Sequence, residues 1–169
     1  MRWLILLAIV LPLACLGQQK PFDCNSSAPH RAFDFWLGEW EVRDGEGKLG
    51  GHNHITAEQN GCVIEEQWRS LRGGTGQSLN YYNPETGQWR QLWLDAGASI
   101  IDIRGGLVEG SMVLEGNIYY LSGDIRRAFR GTWTPLDDGR VRQFFQEQDD
   151  EGQWQTWFEG FYSRKTAVD

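Results

Sequence analysis

Glu66 is the residue best suited to take part in a chemical reaction. It lies in a strand-like run, two residues from both Ile64 and Trp68. Because alternate residues of a β-strand share one face, its carboxyl group would lie between apolar neighbours. Burial raises the pKa of a carboxyl group unless a cation pairs with it, and Arg130 or Arg142 could be that cation. An unpaired, buried carboxyl group could act as a general base; a hydrogen-bonded interior glutamate is the alternative.

Two further strand-like runs place a carboxylate beside aromatic and amide groups on one face. They are Trp89, Gln91, Trp93 and Asp95, and Val141, Gln143, Phe145 and Glu147. A catalytic pair would have to join Glu66 to Asp95 or Glu147, because the adjacent Glu65 and Glu66 point to opposite faces. The sequence contains no nucleophile elbow and no nucleotide-binding fingerprint.

Short strands separated by Gly, Asn, Asp or Pro turns are the elements that would position these groups. The turn signals, Arg104-Gly105-Gly106 among them, recur about every 8 to 16 residues, a spacing typical of a barrel or a sandwich. We predict an all-β fold, a single closed antiparallel meander barrel of about ten strands. A helical turn is expected only within residues 27–37. The predicted strands are 38–44, 50–58, 62–70, 76–83, 88–95, 98–104, 107–116, 125–134, 140–148 and 154–164.

The predicted interior mixes aromatic and polar side chains and is nowhere continuously aliphatic. Such a lining is typical of a cavity in which a few polar groups orient a mostly apolar guest. The expected ligand-binding residues are Glu66, Trp68, Tyr82, Gln91, Trp93, Arg130, Gln143 and Phe145. A filled barrel whose polar groups bond to one another is the alternative.

Residues 1–17 have the composition of a signal peptide. Arg2 precedes an apolar run from Trp3 to Leu13, which is too short to span a bilayer, and Gly17 is a suitable residue before a cleavage site. We therefore expect a periplasmic or secreted protein without a transmembrane span in the mature chain. Lipid attachment at Cys15 is a less favoured alternative, because the residues before it fit a lipobox poorly.

The mature chain is expected to comprise an N-terminal extension, residues 18–33, and a barrel domain, residues 34–169. Its two cysteines, Cys24 and Cys62, predict a disulfide in an exported domain. Two free thiols with a redox role are the alternative, but the Cys-x-x-Cys spacing that activates such thiols is missing.

Charge and histidine content exclude several classes of partner. The formal net charge of −7 argues against nucleic acid, which is bound by clustered Lys and Arg. His52 and His54 would face the same side of a strand and could form a metal pair, but we expect Asn53 and Ile55 to face inward instead. We predict no metal site and no cofactor, and a small amphipathic or hydrophobic molecule as the partner.

Several motifs together resemble a known superfamily. They are Phe35-Trp36-Leu37-Gly38-Glu39-Trp40, Glu66-x-Trp68, Ser78-Leu79-Asn80-x-Tyr82, Trp89-x-Gln91-x-Trp93-x-Asp95, Val141-Arg142-Gln143 and Gly160-x-Tyr162-x-Arg164. The Gly-x-Trp at Gly38 resembles the start of the calycin barrels, which include lipocalins, fatty-acid-binding proteins and nitrobindin-like proteins. The whole pattern resembles exported bacterial lipocalin-like proteins related to the DUF1579 group, to which no activity is assigned.

The resemblance implies a closed meander barrel and a structural pair. In calycins the first Trp packs beneath an Arg from a late strand, which implies that Trp40 lies against Arg164 here. Nitrobindin-like barrels hold haem through a single histidine, but the histidines of this chain all lie at or before His54. Haem is therefore not expected.

Three functions are compatible with these features. The favoured one is an exported small-molecule binding protein with a barrel cavity. The second is an enzyme on the same barrel, an isomerase or hydrolase that uses Glu66 or Asp95 as its base. The third is a structural or protein-interaction barrel of the cell envelope, for which we would expect an exposed aromatic patch around Trp154 and Trp157.

Overall fold

The structure, a computed structural model that describes residues 22–165, is a closed antiparallel barrel of ten strands. Each strand pairs with its neighbours along the chain, and the first pairs with the last. The strands are β1 Gly38–Arg43, β2 Leu49–Glu58, β3 Val63–Ser70, β4 Thr75–Asn83, β5 Gln88–Asp95, β6 Ser99–Val108, β7 Ser111–Tyr120, β8 Ile125–Pro135, β9 Val141–Gln148 and β10 Trp154–Arg164. The predicted all-β meander barrel is confirmed. The predicted signal peptide and Cys15 lie outside the described residues.

One predicted turn, Arg104-Gly105-Gly106, is wrong. β6 continues through these residues, and the chain reverses at Glu109 and Gly110, both of which have positive φ. Gly105 marks a close approach of two strands rather than a bend, since a Cβ there would lie 2.1 Å from the carbonyl oxygen of Val113. Glycine in a strand interior often marks such a contact.

Three short helical segments precede β1: Cys24–Ser26, Ala28–Arg31 and Asp34–Trp36. We call residues 22–37 the N-terminal plug, because they close one end of the barrel. Phe33 and Trp36 are fully buried and stack with ring centroids 5.0 Å apart, and Phe33 also meets Trp133 edge-on at 5.1 Å. The plug therefore contributes to the hydrophobic core. It includes residues on both sides of the expected boundary between the N-terminal extension, residues 18–33, and the barrel domain, residues 34–169.

The predicted disulfide is present and fastens the plug to the β2–β3 turn. Cys24 and Cys62 are bonded with their Cα atoms 5.1 Å apart. The side-chain amide of Asn25 donates a 2.9 Å hydrogen bond to the carbonyl of Asn60 in the same turn. A bridge across 38 residues of chain contributes roughly 3 to 4 kcal/mol by restricting the unfolded state. It indicates an oxidising, non-cytoplasmic environment.

Arg164 lies over Trp40 at the plugged end. Its guanidinium carbon is 4.0 Å from the centroid of the Trp40 ring, and the same guanidinium donates to the carbonyl of Leu37. Gly38 has a φ of 135°, and a Cβ there would collide with the Arg164 guanidinium. The arrangement is a cation–π contact between the first strand and the last, and it joins the two ends of the meander.

Across residues 22–165, no helix is both long enough and apolar enough to cross a membrane.

Candidate functional site

A cavity of about 720 Å³ opens at the end of the barrel opposite the plug. Its mouth is formed by residues of the β1–β2 and β3–β4 connections, including Lys48 and Arg72. Its walls are aromatic, and we call it the aromatic cavity. The rings that line it are Trp68, Trp93, Phe145, Trp157 and Phe158, and the polar groups furthest from solvent are Glu66, Gln143 and Tyr162.

Glu66 is 2% exposed and lies between two neutral hydrogen-bond donors. The hydroxyl of Ser78 donates to its Oε2 at 2.6 Å, and Nδ2 of Asn53 donates to its Oε1 at 2.7 Å. Burial, only partly offset by these two hydrogen bonds, raises the pKa of Glu66 to about 7. The carboxyl group therefore changes charge near neutral pH.

Neither arginine that could have neutralised Glu66 reaches it. Arg130 donates to Oε1 of Gln146 at 2.8 Å, and Arg142 pairs with Glu159 at 2.6 Å. Both arginines belong to the outer face, because the residues directly before and after each of them on β8 and β9 are buried and fill the interior. The expectation that Arg130 lines the cavity is therefore wrong.

A chain of buried amides supports the Glu66 site from behind. Nε2 of Gln91 donates to Oδ1 of Asn80 at 2.9 Å, and Nδ2 of Asn80 donates to Oγ of Ser78 at 2.9 Å. Ser78 in turn donates to Glu66. We call Asn53, Glu66, Ser78, Asn80 and Gln91 the polar network. Gln91, expected to contact the ligand, instead holds Asn80 within this network.

Tyr162 is the titratable neighbour of Glu66. Its hydroxyl accepts a 3.2 Å hydrogen bond from Nδ2 of Asn53, which also donates to Glu66. Burial, and then the charge of Glu66, raise the pKa of Tyr162 well above its usual range. Tyr162 therefore stays neutral across the pH range in which Glu66 changes its charge.

Two buried amide oxygens have no hydrogen-bond partner among the described residues. They are Oδ1 of Asn53 and Oε1 of Gln143, a side chain that is 3% exposed. Buried polar groups in native proteins are usually satisfied. Gln143 lines the aromatic cavity, whereas Asn53 contacts Glu66 but is not part of the cavity lining.

Five of the eight expected ligand-binding residues line the aromatic cavity: Glu66, Trp68, Trp93, Gln143 and Phe145. Tyr82 lies near the plug instead, with its ring centroid 5.1 Å from that of His30. Sequence reasoning missed Ser78, Asn80 and Tyr162 as parts of the site. The alternation of Ser78 and Asn80 along β4 was a usable signal, since both are buried on the same face as Gly76.

The two other candidate carboxylates are engaged elsewhere. Asp95 accepts hydrogen bonds from Ser99 and Trp93; burial alone would raise its pKa, but these bonds lower it below the usual value. Glu147 accepts from the hydroxyl of Tyr120 at 2.7 Å. In the described part of the chain, no hydrogen bond joins either group to Glu66, and neither residue lines the aromatic cavity.

The histidines lie away from the cavity. Asn53 and Ile55 of β2 are buried, so His52 and His54 belong to the outer face, and His54 is exposed. His30 is buried in the plug, with its Nδ1 2.8 Å from the hydroxyl of Ser27. Within residues 22–165, no three His, Cys, Asp or Glu side chains form a group that could hold a metal ion.

No family model matches this chain, and no curated protein matches it significantly. The aromatic cavity, its buried carboxyl group and the disulfide are therefore the observations from which a function can be inferred.

Proposed function

We propose that this protein is an exported binding protein that holds a small amphipathic or hydrophobic molecule in the aromatic cavity. The observation that carries the proposal is the combination of aromatic walls with a buried polar inner end in one cavity of about 720 Å³. That volume lies within the usual range for small-molecule sites, which are mostly apolar with a few polar groups that orient the ligand.

The inner end of the cavity is suited to orienting a guest rather than to filling space. Glu66, Gln143 and Tyr162 are buried, yet all three line the cavity. A filled barrel would satisfy such groups internally, whereas Oε1 of Gln143 finds no partner among residues 22–165. A guest with a polar head and an apolar body would contact the polar inner end and the indole walls together.

The proposal includes export of the protein from the cytoplasm. A signal peptide at residues 1–17 would direct the chain to the periplasm or the exterior, and the Cys24–Cys62 disulfide supports that destination. The acidic surface, with a formal net charge of −7, gives no support to a nucleic-acid partner.

Native mass spectrometry of the full-length protein, expressed with its own leader and purified without detergent, tests the proposal. We expect a fraction of molecules to carry one extra mass that is released when the barrel is denatured. Complete absence of a bound mass, together with no binding of the neutral dye Nile red, would contradict the proposal.

An enzyme on this barrel is the second candidate, favoured by one observation. Glu66 faces the cavity without a cationic partner in the described chain, and its pKa of about 7 suits a general base. Incubating a bound guest in deuterated water distinguishes the two functions. Deuterium incorporation at carbon that is lost in Glu66→Gln indicates catalysis, and an unchanged guest indicates binding alone.

The interaction-barrel alternative receives less support. Trp157 packs edge-on against Phe129 at 5.5 Å and donates to the hydroxyl of Tyr120 at 2.9 Å. Arg130 covers Trp154, with 4.2 Å between the guanidinium carbon and the ring centroid. These two indoles therefore do not form the exposed aromatic patch that this function requires.

A further inference from the structure

We infer that the guest of the aromatic cavity is an amphipathic amine, whose ammonium group meets Glu66 and whose apolar part lies against the indole walls. The inference rests on the proposed function and names the chemical class of ligand. It is carried by the unpaired state of a buried carboxylate, by the unused acceptor positions on that carboxylate and by the rings around it.

Glu66 is the buried carboxylate that lacks a cation. Every ion pair in the described residues involves other acids, and the two donors that contact Glu66, Ser78 and Asn53, are neutral. An ionised carboxylate in such a site carries a desolvation cost that neutral donors offset only in part. A ligand ammonium would supply the missing charge.

The hydrogen-bond acceptor positions that the protein leaves unused at Glu66 favour a ligand that donates hydrogen bonds. Each oxygen of Glu66 accepts one hydrogen bond from the protein, although a carboxylate has about four acceptor positions in all. An ammonium group carries three donors and no acceptor, so it matches this end of the cavity. A carboxylate ligand would bring only acceptors and a like charge.

The walls fit the same ligand. Trp68 and Trp93 line the cavity together with Glu66, and Phe158 meets Trp68 edge-on with 6.3 Å between centroids. Aromatic faces attract ammonium groups through cation–π interactions, with Trp the most effective ring. They also bury the apolar part of an amphipathic molecule.

The mouth of the cavity carries one more basic than acidic side chain, so it does not itself favour an amine. It carries Arg43, Lys48 and Arg72 together with Asp44 and Glu159. Arg43 and Glu159 are already engaged in ion pairs with neighbouring strand residues. Selection between amines and acids therefore takes place at Glu66.

The charge of Glu66 should govern the pH dependence of amine binding. The groups that face Glu66 are Asn53 from β2, Ser78 from β4 and Tyr162 from β10, and Tyr162 alone among them titrates. Because Tyr162 stays neutral and an alkylamine stays protonated, ionisation of Glu66 is the event that changes affinity between about pH 6 and about pH 8. Amine affinity should rise about tenfold across that interval, since the ionised fraction of Glu66 rises by that factor.

Three probes with the same tail test the inference: n-octylamine, 1-octanol and octanoate, titrated into the full-length mature protein by calorimetry at about pH 8. We expect n-octylamine to bind at least about tenfold more tightly than 1-octanol, as a charge-assisted hydrogen bond predicts, and octanoate to bind most weakly. Octanoate or octanol binding as tightly as the amine would overturn the inference and leave the proposed function intact. Failure of all three probes also overturns the inference; only the additional failure of Nile red would overturn the proposed function.

Glu66→Gln and Glu65→Gln form a matched pair of variants. Glu65 is adjacent in sequence and lies on the outer face, where it accepts from Gln67. In Glu66→Gln, octylamine should bind no more tightly than octanol, and its affinity should no longer depend on pH. In Glu65→Gln, both properties should be as in the wild-type protein. If Glu66→Gln does not fold, the probe series on the wild-type protein decides: an affinity for octylamine at about pH 8 that is no higher than that for octanol overturns the inference.

Discussion

Ser78 lies directly opposite Glu66 across the β3–β4 pair and donates a 2.6 Å hydrogen bond to its carboxylate. The strand register alone brings the two side chains together, and both are buried. This contact links the fold to the candidate site, because it fixes one carboxylate oxygen in place and limits the rise of the Glu66 pKa.

Ser78→Ala should raise the pKa of Glu66 above its present value of about 7, because it removes a hydrogen bond to the charged form. It should also lower the free energy of unfolding at about pH 8 by about 1 to 3 kcal/mol, since buried partners lose their donor. Carboxyl-carbon NMR titration measures the first effect and urea unfolding the second. Ser163→Ala, on the outer face of β10, is the control; equal effects in both variants would contradict the prediction.

Glu66→Gln should change how stability depends on pH. The folded-state pKa of Glu66 is about 7 and its ordinary value is 4.5, so between these values the folded protein binds more protons than the unfolded chain. Stability therefore falls as pH rises through this window and levels off above about pH 7. The fall should be on the order of 3 kcal/mol in the wild type.

Urea unfolding of wild type and Glu66→Gln at several pH values from about 4 to about 8 checks this prediction. The difference between the free energies of unfolding of the two proteins at each pH gives the contribution of Glu66 separately from those of the other carboxylates. Asp138 and Asp149 have lowered pKa values, and their contributions change below pH 3.8 instead. Parallel pH profiles in the two proteins would show that Glu66 titrates normally.

Removal of the disulfide by Cys24→Ser with Cys62→Ser should lower the free energy of unfolding by about 3 to 4 kcal/mol. The N-terminal plug should loosen first, because this bond ties it to the β2–β3 turn. Loss of near-ultraviolet circular dichroism from the stacked Phe33 and Trp36 would report that loosening. Wild-type stability in the double variant would show that the buried rings alone hold the plug.

Gly105→Ala and Gly106→Ala should differ in their effects although the residues are adjacent. A Cβ at Gly105 would lie 2.1 Å from the carbonyl oxygen of Val113, whereas a Cβ at Gly106 meets nothing within 4 Å. We expect Gly105→Ala to destabilise by about 1 to 3 kcal/mol through overpacking and Gly106→Ala to change stability little. Thermal unfolding measures both, and equal stability would mean that β6 and β7 do not approach so closely.

The barrel was predictable from sequence because its signals are local. Turn residues recur at short intervals, and the alternation in β3, β5 and β9 identified the faces that carry Glu66, Trp93 and Gln143. The turn placed at Gly105 failed because a glycine required by close packing looks the same in sequence as one required by a bend. The decisive fact, the nearby carbonyl of Val113, belongs to another strand.

The site was harder to predict because it depends on register. Ser78 meets Glu66, and Asn80 meets Gln91, only through the pairing of β4 with both of its neighbours. Sequence alternation shows which residues share a face but does not show which residues lie opposite one another. Arg130 was placed on the wrong face for a different reason: both faces of β8 carry polar groups, although the alternation of Phe129, Gly131 and Trp133 marks the inner face.

A Nile red titration with one cavity-blocking variant tests most directly whether the aromatic cavity binds a guest. Ser70 lines the mouth of the cavity, so Ser70→Phe should obstruct it, whereas Ser163→Phe places the same ring on the outer face. We predict saturable binding of one dye per chain in wild type and Ser163→Phe, with loss of at least about tenfold in affinity in Ser70→Phe. Equal dye affinity in all three proteins, or no saturable binding in any of them after removal of a co-purified guest, would contradict the account.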